Sequence, residues 1–208
     1  KPIRIMSGFF KPGQALSMRS VAEAVGVSVM PVRDALRRLE VENALVVGRN
    51  RALEVPKLDV DTLLEISQMR TALEGLAVER AIPAMVEADL EALRTHFTTM
   101  SDSIVADDAD GYLAGNWAFH RHVYSCARAE LLLSTIESLW LRMGPYFRLT
   151  ATDYRHLDNA MIVHQDILRA LEHGDAAAAR AGIVADIEAA ARDLRNWLED
   201  HAENEAAE

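Results

Sequence analysis

The chain has 208 residues, a formal net charge of -10 and an apolar fraction of 50%, which allow a substantial buried core in one or two domains. No apolar stretch approaches the roughly 18 residues of a membrane helix and no secretory signal is visible, so we expect a cytoplasmic protein with no membrane partner. The single cysteine, Cys126, cannot form an internal disulfide, which also favours a reducing compartment.

Residues 17–42 have the pattern of two short helices joined by a tight turn. Ser17 is positioned to cap the first helix, and Gly26 tolerates the left-handed conformation with which helices often end. Ser28 is expected to cap the second helix, and Pro31 fits in its first turn, where no intrahelical hydrogen bond is lost. Two helices with such a turn form a helix-turn-helix.

The second of these helices is amphipathic and cationic. Its apolar residues recur at i, i+3, i+4 and i+7, the spacing of a buried stripe: Val32, Ala35, Leu36 and Leu39. Arg33 and Arg37 lie one turn apart on the outward face, where they can contact DNA. Residues 45–47 and 52–55 have the pattern of two short strands around a basic turn, which predicts a wing.

Charge is divided unevenly along the chain. Residues 1–57 hold ten Lys and Arg against five Asp and Glu, a net charge of +5, and residues 58–208 hold 12 Arg against 27 acidic residues, a net charge of -15. A basic segment attracts phosphate, whereas an acidic one is repelled by nucleic acid. We therefore predict a DNA-binding domain at 1–57, a helical domain at 58–198 and an acidic tail at 199–208.

Two motifs in the basic segment resemble the GntR family of transcriptional regulators. They are Ile5-x-x-Gly8-x-x-x-Pro12-Gly13-x-x-Leu16 and Gly26-Val27-Ser28-x-x-Pro31-Val32-Arg33-x-Ala35-Leu36. The resemblance implies that double-stranded DNA is bound by eight residues of the two helices and the wing: Arg19, Ser28, Val29, Met30, Arg33, Arg37, Arg49 and Arg51.

Three positions depart from the family pattern. Val29 and Met30 replace the common Arg and Thr, and Ala52 stands where a wing glycine is usual. An arginine lost from the recognition helix removes a possible contact to guanine, worth about 1–3 kcal/mol of base discrimination. Because Lys1 would already lie inside the family's first helix, we expect the natural protein to begin upstream.

From residue 58 onward the hydrophobic pattern is helical throughout. Six helices are predicted, over 60–81, 87–105, 109–126, 130–150, 156–173 and 175–198. The clearest boundary is at Gly174, which suits a helix C-terminus, and Asp175, which can cap the next helix. The residues after 198 are expected to fray. The fold is therefore mostly α, with an N-terminal winged helix followed by an antiparallel all-helical bundle.

The helical part resembles the FCD effector domain of the FadR subgroup. The motifs that carry this resemblance are Arg70-x-x-Leu73-Glu74, Phe119-His120, and His164 followed by Gly174-Asp175. Proteins of this subgroup are typically dimeric repressors or activators that sense small organic acids. The resemblance therefore implies a homodimer that binds a palindromic operator and a small carboxylate effector.

Many FCD domains also hold a divalent metal, and the matching positions here are Asn116, His120, His164 and Asp186. The first and last depart from the family's Asp and His, so one carboxylate is lost and one gained. Asn116 and His120 share a helix face at i and i+4. Two imidazoles, a carboxylate and an amide oxygen suit zinc or nickel. The alternative is a metal-free polar core in which Asp186 pairs with His120 or His164.

A buried carboxylate effector also needs a cation, and Arg70 and Arg148 are the candidates. The alternative for each is an ordinary ion pair, for instance of Arg70 with Glu74 one turn on. His122 is two residues from His120, so it is expected to face solvent or an interface. No chemical role is assigned to His96, and Cys126 is expected to be a small helix residue.

These features favour a ligand-responsive, DNA-binding transcriptional regulator, most simply a repressor, and not an enzyme. One alternative is a metal-dependent hydrolase with a vestigial DNA-binding head, although the sequence has no HExxH motif and no nucleophile elbow. The other is a metal-free helical interaction module whose histidines are structural.

Overall fold

The computed structural model describes residues 10–48, 52–150 and 154–207. The N-terminal part contains β1 (Ala15–Leu16), α1 (Met18–Val25), α2 (Val29–Val41), β2 (Val46–Val47) and β3 (Leu53–Glu54). The helical part contains α3 (Val60–Ala81), α4 (Glu87–Val105), α5 (Ala109–Cys126), α6 (Glu130–Thr150), α7 (Tyr154–Glu172) and α8 (Ala176–Ala207), with a 3₁₀ turn at Ile82–Ala84 between α3 and α4. The prediction of a winged helix-turn-helix followed by a helical bundle is confirmed.

The helix-turn-helix forms as its capping residues predict. The hydroxyl of Ser17 accepts a hydrogen bond from the amide of Ser20 at 3.0 Å, and Gly26 adopts a left-handed conformation with φ of 69°. Ser28 is the N-cap residue of α2, but its side chain makes no capping hydrogen bond, so that detail of the prediction is wrong.

The buried stripe of α2 is narrower than the spacing predicts. Val32, Leu36 and Leu39 are buried, whereas Ala35 is exposed. The wing strands β2 and β3 pair antiparallel, as predicted. A third strand, β1, pairs with the other edge of β3 and gives the sheet order β1-β3-β2.

The six helices of the second part bury two apolar clusters, a larger one that includes Phe119, Ile167 and Ile183 and a smaller one that includes Leu63, Met143 and Leu194. Helix α3 lies along α8, α4 pairs with α5, and α7 contacts both α8 and α4. The connections 106–108 and 173–175 are short, which makes α4 with α5 and α7 with α8 helical hairpins. At the second connection Gly174 is left-handed with φ of 67°, and Asp175 caps α8 by accepting from the amide of Ala178 at 3.0 Å.

Helix α8 differs from its prediction at the C-terminal end. It continues to Ala207 instead of ending near residue 198, because alanine and glutamate, both strong helix formers, recur through this segment. Across the part of the chain that the structure describes, no helix is both long and apolar enough to cross a membrane.

Candidate functional site

The outward face of α2 carries the side chains expected to contact DNA. Val29 is 45% exposed and Met30 is 60% exposed, and Arg33 and Arg37 are exposed on the same side of the helix, opposite its buried stripe. The guanidinium of Arg33 lies 4.0 Å from the carboxylate of Asp34. At such exposure this ion pair is weak, so the arginine can exchange it for a phosphate or a base.

The remaining residues expected to bind DNA lie around this helix. Ser28 is exposed at the start of α2. Arg19 on α1 is exposed and lies 3.5 Å from Glu23, one turn along. Arg49 and Arg51 come between β2 and β3 in the sequence and lie outside the described residues, so their assignment to the wing stays a prediction.

The four predicted metal-binding positions meet inside the helical part. Helix α5 supplies Asn116 and His120, α7 supplies His164 and α8 supplies Asp186. The Nε2 atoms of the two histidines are 3.0 Å apart, and Asn116 Oδ1 is 2.8 Å from His164 Nε2. Asp186 Oδ2 lies 3.4 Å from His120 Nε2. Both histidines are fully buried.

The hydrogen-bond partners of the two histidines indicate what each Nδ1 atom does. His164 Nδ1 lies 2.7 Å from the carbonyl of Ala160, so this nitrogen donates. The hydroxyl of Tyr124 donates to Glu74 Oε2 at 2.5 Å and therefore accepts from His120 Nδ1 at 3.0 Å. The two Nε2 atoms face each other, with Asp186 Oδ2 beside His120 Nε2 and Asn116 Oδ1 beside His164 Nε2.

Electrostatics keep the carboxylate ionised and the imidazole of His164 neutral. Burial lowers the pKa of His164, even though Asp186 opposes this effect. Burial alone would raise the pKa of Asp186, but the two facing imidazoles and the guanidinium of Arg70 lower it to about 2. A neutral imidazole, as at His164, and an ionised carboxylate are the forms that bind a metal. The ligand atoms of His120, His164 and Asp186 lie within 4.8 Å of one another, so these three residues can hold one ion.

Arg70 lies next to the two histidines and Asp186, but its guanidinium already forms an ion pair with Glu74. Its Nε donates to Glu74 Oε1 at 2.6 Å, and its guanidinium carbon lies 4.5 Å from the centre of the Trp140 ring. The indole of Trp140 also donates to Glu74, at 3.0 Å. The predicted alternative, an ion pair of Arg70 with Glu74, is therefore formed, and the same arginine also lines the adjacent cavity.

That cavity has a volume of about 430 Å³ and opens beside the histidines. Its walls combine polar and apolar side chains from α3, α5, α6, α7 and α8. They include Arg70, Tyr112, Asn116, Trp140, Phe147, Leu157, His164, Asp186, Arg192 and Asp193. Arg148, the second predicted effector residue, is not among the described lining residues and instead pairs with Asp110 near the surface.

Several features of the site were not predicted from the sequence, although the pairing of Glu74 with Arg70 was. Tyr124 and Trp140 both donate to Glu74 and so link the cavity arginine to His120, but each of these two resembles an ordinary helix residue until the helices are packed. A second group, Asp89, His122 and Cys126, has ligand atoms within 4.8 Å of one another. His122 is therefore half-buried beside a carboxylate and not simply solvent-facing. The i, i+4 spacing of His122 and Cys126 was the available signal.

The structure combines an exposed cationic helix-turn-helix with a helical bundle that has a polar cavity. This combination is typical of a transcriptional regulator that binds DNA and responds to a small molecule. The chain belongs to the gntR family of bacterial regulatory proteins with an FCD domain. The gntR family model matches residues 3–55, and the FCD domain model matches residues 65–189.

The relatives of this chain have names of the same kind. It is 35% identical over 138 residues to the HTH-type transcriptional regulator McbR of Escherichia coli, an alignment that covers 66% of this chain and 62% of McbR. It is 28% identical over 173 residues to the probable D-xylose utilization operon transcriptional repressor of Paenarthrobacter nicotinovorans, covering 83% and 76%. The solved structure of E. coli McbR/YncC superposes with a TM-score of 0.86 at 28% identity, covering 94% of this chain and 93% of that one.

Proposed function

We propose that the protein is a ligand-responsive transcriptional repressor, cytoplasmic and homodimeric, that binds a palindromic operator. The observation that carries this proposal is the exposed cationic face of α2, which belongs to a segment with a net charge of +5. One winged helix makes few base contacts, whereas two related by a twofold axis bind two half-sites. The proposed domains are residues 1–57 for DNA and 58–198 for sensing and dimerisation, followed by a tail at 199–208.

Arginine side chains supply the sequence readout in this proposal. Arg33 projects from the exposed face of α2, where a guanidinium can bind guanine through two hydrogen bonds. The apolar tips of Val29 and Met30 can contact thymine methyl groups instead. Arg19, Arg37, Arg49 and Arg51 bind phosphates, as does Ser28 at the helix N-terminus, where the backbone amides favour an anion.

The DNA proposal is tested with a duplex selected by the protein from a randomised pool. We expect Arg33→Ala to abolish the preference for that duplex over a scrambled one, while circular dichroism shows an unchanged fold. Arg169→Ala, which removes an exposed arginine from the acidic helical part, is the matched control and should bind like the wild type. Equal discrimination by Arg33→Ala and the wild type would refute the proposed docking.

We further propose that Asn116, His120, His164 and Asp186 hold a divalent ion, zinc or nickel. The support is their chemistry, because two imidazole nitrogens, an amide oxygen and a carboxylate converge. One divalent cation can be bound by all four, and its second-shell partners are present, since the carbonyl of Ala160 and the hydroxyl of Tyr124 contact the Nδ1 atoms of the two histidines. When bound, the ion supplies a Lewis-acidic position for an effector oxygen.

The same electrostatics favour a small carboxylate as the effector. The charges of Arg70 and Glu74 offset each other, as do those of Arg192 and Asp193, which leaves the cavity with the formal charge of -1 from Asp186. A divalent ion changes that charge to +1. An anionic effector is therefore expected to bind the metal-loaded protein only, with Arg70 oriented towards it by Glu74.

Metal analysis and thermal shift test both parts of this proposal on untagged protein. We expect one stoichiometric zinc or nickel ion that His164→Ala loses, whereas His173→Ala, an exposed histidine just beyond α7, keeps it. Sugar acids, hydroxy acids and amino acids are then screened with and without the ion, and Arg70→Ala is titrated with any acid that binds. A lack of any bound ion after zinc and nickel are offered would refute the metal site.

The regulator proposal also implies that the chain is not an enzyme. A hydrolase at the same cavity would need a base that activates water, yet the carboxylate of Glu74 already accepts from Arg70, Tyr124 and Trp140. The expected result is that ester, amide and phosphoester substrates are not turned over by the zinc-loaded protein.

A further inference from the structure

A second group of metal-ligating side chains lies at the other end of the α4 and α5 hairpin from the connection 106–108. Asp89 is in the first turn of α4, and His122 and Cys126 are one turn apart in the last part of α5. His122 Nε2 lies 3.2 Å from Asp89 Oδ1. The ligand atoms of the three residues all lie within 4.8 Å of one another.

A backbone hydrogen bond orients the carboxylate of this group. The second carboxylate oxygen of Asp89 accepts the amide of Val86 at 3.0 Å, which directs Oδ1 towards His122. The imidazole and carboxylate are each about a quarter exposed, so an ion can reach them, whereas Cys126 is only 8% exposed. Such partial burial orders the ligands and still leaves an entry path.

We propose that Asp89, His122 and Cys126 form a second divalent metal site, selective for zinc. One thiolate, one imidazole and one carboxylate make three of the four tetrahedral ligands that zinc prefers, and water takes the open fourth position. Sulfur makes this site softer than the group at His120 and His164, so magnesium and calcium are excluded. On binding, the thiol of Cys126 loses its proton to solvent as the sulfur–zinc bond forms.

The two sites are distinct in position and in chemistry. None of Asp89, His122 and Cys126 is among the cavity-lining residues, and the group at His120 contains no sulfur. The second ion joins the start of α4 to the end of α5, so it stabilises the hairpin without contact with an effector. This inference therefore does not depend on the proposed function.

Cobalt(II) distinguishes the sites because a thiolate ligand gives a sulfur-to-cobalt charge-transfer band that nitrogen and oxygen ligands do not. Cys126 is the only cysteine in the chain, so the band reports this site alone. The metal-free, reduced, untagged full chain is titrated with cobalt and then with zinc. We expect the band to reach its maximum at one equivalent bound at this site and to disappear when zinc displaces cobalt.

Variants assign the ligands. Cys126→Ser is expected to lose the band, and His122→Ala to weaken zinc binding at this site at least about tenfold, since even loss of an outer-shell partner has that effect. His164→Ala is the matched control, which should keep the band and lose only the other ion. The absence of the band in the wild type at excess cobalt, or its persistence in Cys126→Ser, would overturn the proposal whether or not every variant folds.

Discussion

Glu74 is the residue on which the buried charges of the helical part depend. It is completely buried and accepts hydrogen bonds from Arg70, Tyr124 and Trp140. Burial alone would lower the pKa of Arg70, but the charge of Glu74 raises it above its ordinary value. Two buried charges are tolerated because each compensates the other and the remaining lone pairs are satisfied.

Replacing Glu74 by its neutral isostere tests that dependence. Glu74→Gln leaves the buried guanidinium of Arg70 without a counter-charge, so we expect the free energy of unfolding to fall by about 3–5 kcal/mol. Urea denaturation monitored by circular dichroism measures the change.

Glu79→Gln on the same helix is the matched control for this variant. Glu79 pairs with Arg180 at 2.9 Å, but both side chains are about two-fifths exposed. Its loss is expected to cost only about 0–1 kcal/mol. If the two variants were equally stable, the buried pair would not have the role described for it.

Contacts within one helix of the candidate site could be predicted from the sequence, whereas contacts between helices could not. The burial of His164 follows from the apolar residues at helical spacing around it, Leu157, Met161, Leu168 and Leu171. The meeting of His120 with Asn116 follows from their i, i+4 spacing. The approach of Asp89 to His122 does not follow from spacing, because it depends on how α4 and α5 pack. The sharing of Glu74 by three donors from α3, α5 and α6 likewise appears only in the packed bundle.

At the scale of elements, helix bounds were predicted closely wherever a cap marks them. Helix α3 begins after Asp59, whose carboxylate accepts from the amide of Thr62 at 2.7 Å, and α8 begins after Asp175. Strand β1 was not predicted because its two residues become a strand only by pairing with β3. The C-terminal extent of α8 was missed because no cap or breaker marks its end.

The contact between α7 and α8 depends on a glycine. At Gly182 an added Cβ would lie 2.6 Å from Cγ1 of Ile167, a fully buried side chain of α7. Alanine is the better helix former by about 1 kcal/mol, but overpacking a core costs about 1–3 kcal/mol. We therefore expect Gly182→Ala to lower the melting temperature, as differential scanning calorimetry would show.

A second helical glycine provides the comparison. At Gly75 in α3 an added Cβ would lie 3.3 Å from the side chain of Arg180, which is partly exposed and can move. Gly75→Ala should therefore leave the melting temperature unchanged or raise it. A Gly182→Ala protein as stable as Gly75→Ala would show that α7 and α8 are not in the close contact described.

At the scale of the whole molecule, α6 connects the cavity with the segment that leads to the DNA-binding part. The buried hydroxyl of Tyr146 accepts from the amide of Leu58 at 2.5 Å and donates to the carbonyl of Pro56 at 2.9 Å. Phe147, the next residue of α6, lines the cavity. We therefore expect a ligand that moves α6 to act on the segment between the two parts. Such a ligand changes DNA binding only if it binds the DNA-competent and DNA-incompetent arrangements of the protein with different affinities.

Tyr146→Phe tests this connection because it removes both hydrogen bonds and keeps the aromatic ring. A buried amide left without an acceptor costs about 1–3 kcal/mol, so we expect amide exchange at Leu58 to accelerate roughly tenfold or more. The matched variant Tyr112→Phe, which alters a buried tyrosine of α5, should leave that exchange rate unchanged. Given a cavity ligand found by the thermal-shift screen, Tyr146→Phe should also reduce the ratio of duplex affinities measured without and with the ligand. If both the exchange rate at Leu58 and that ratio stayed at their wild-type values, α6 would not be the element that transmits the signal.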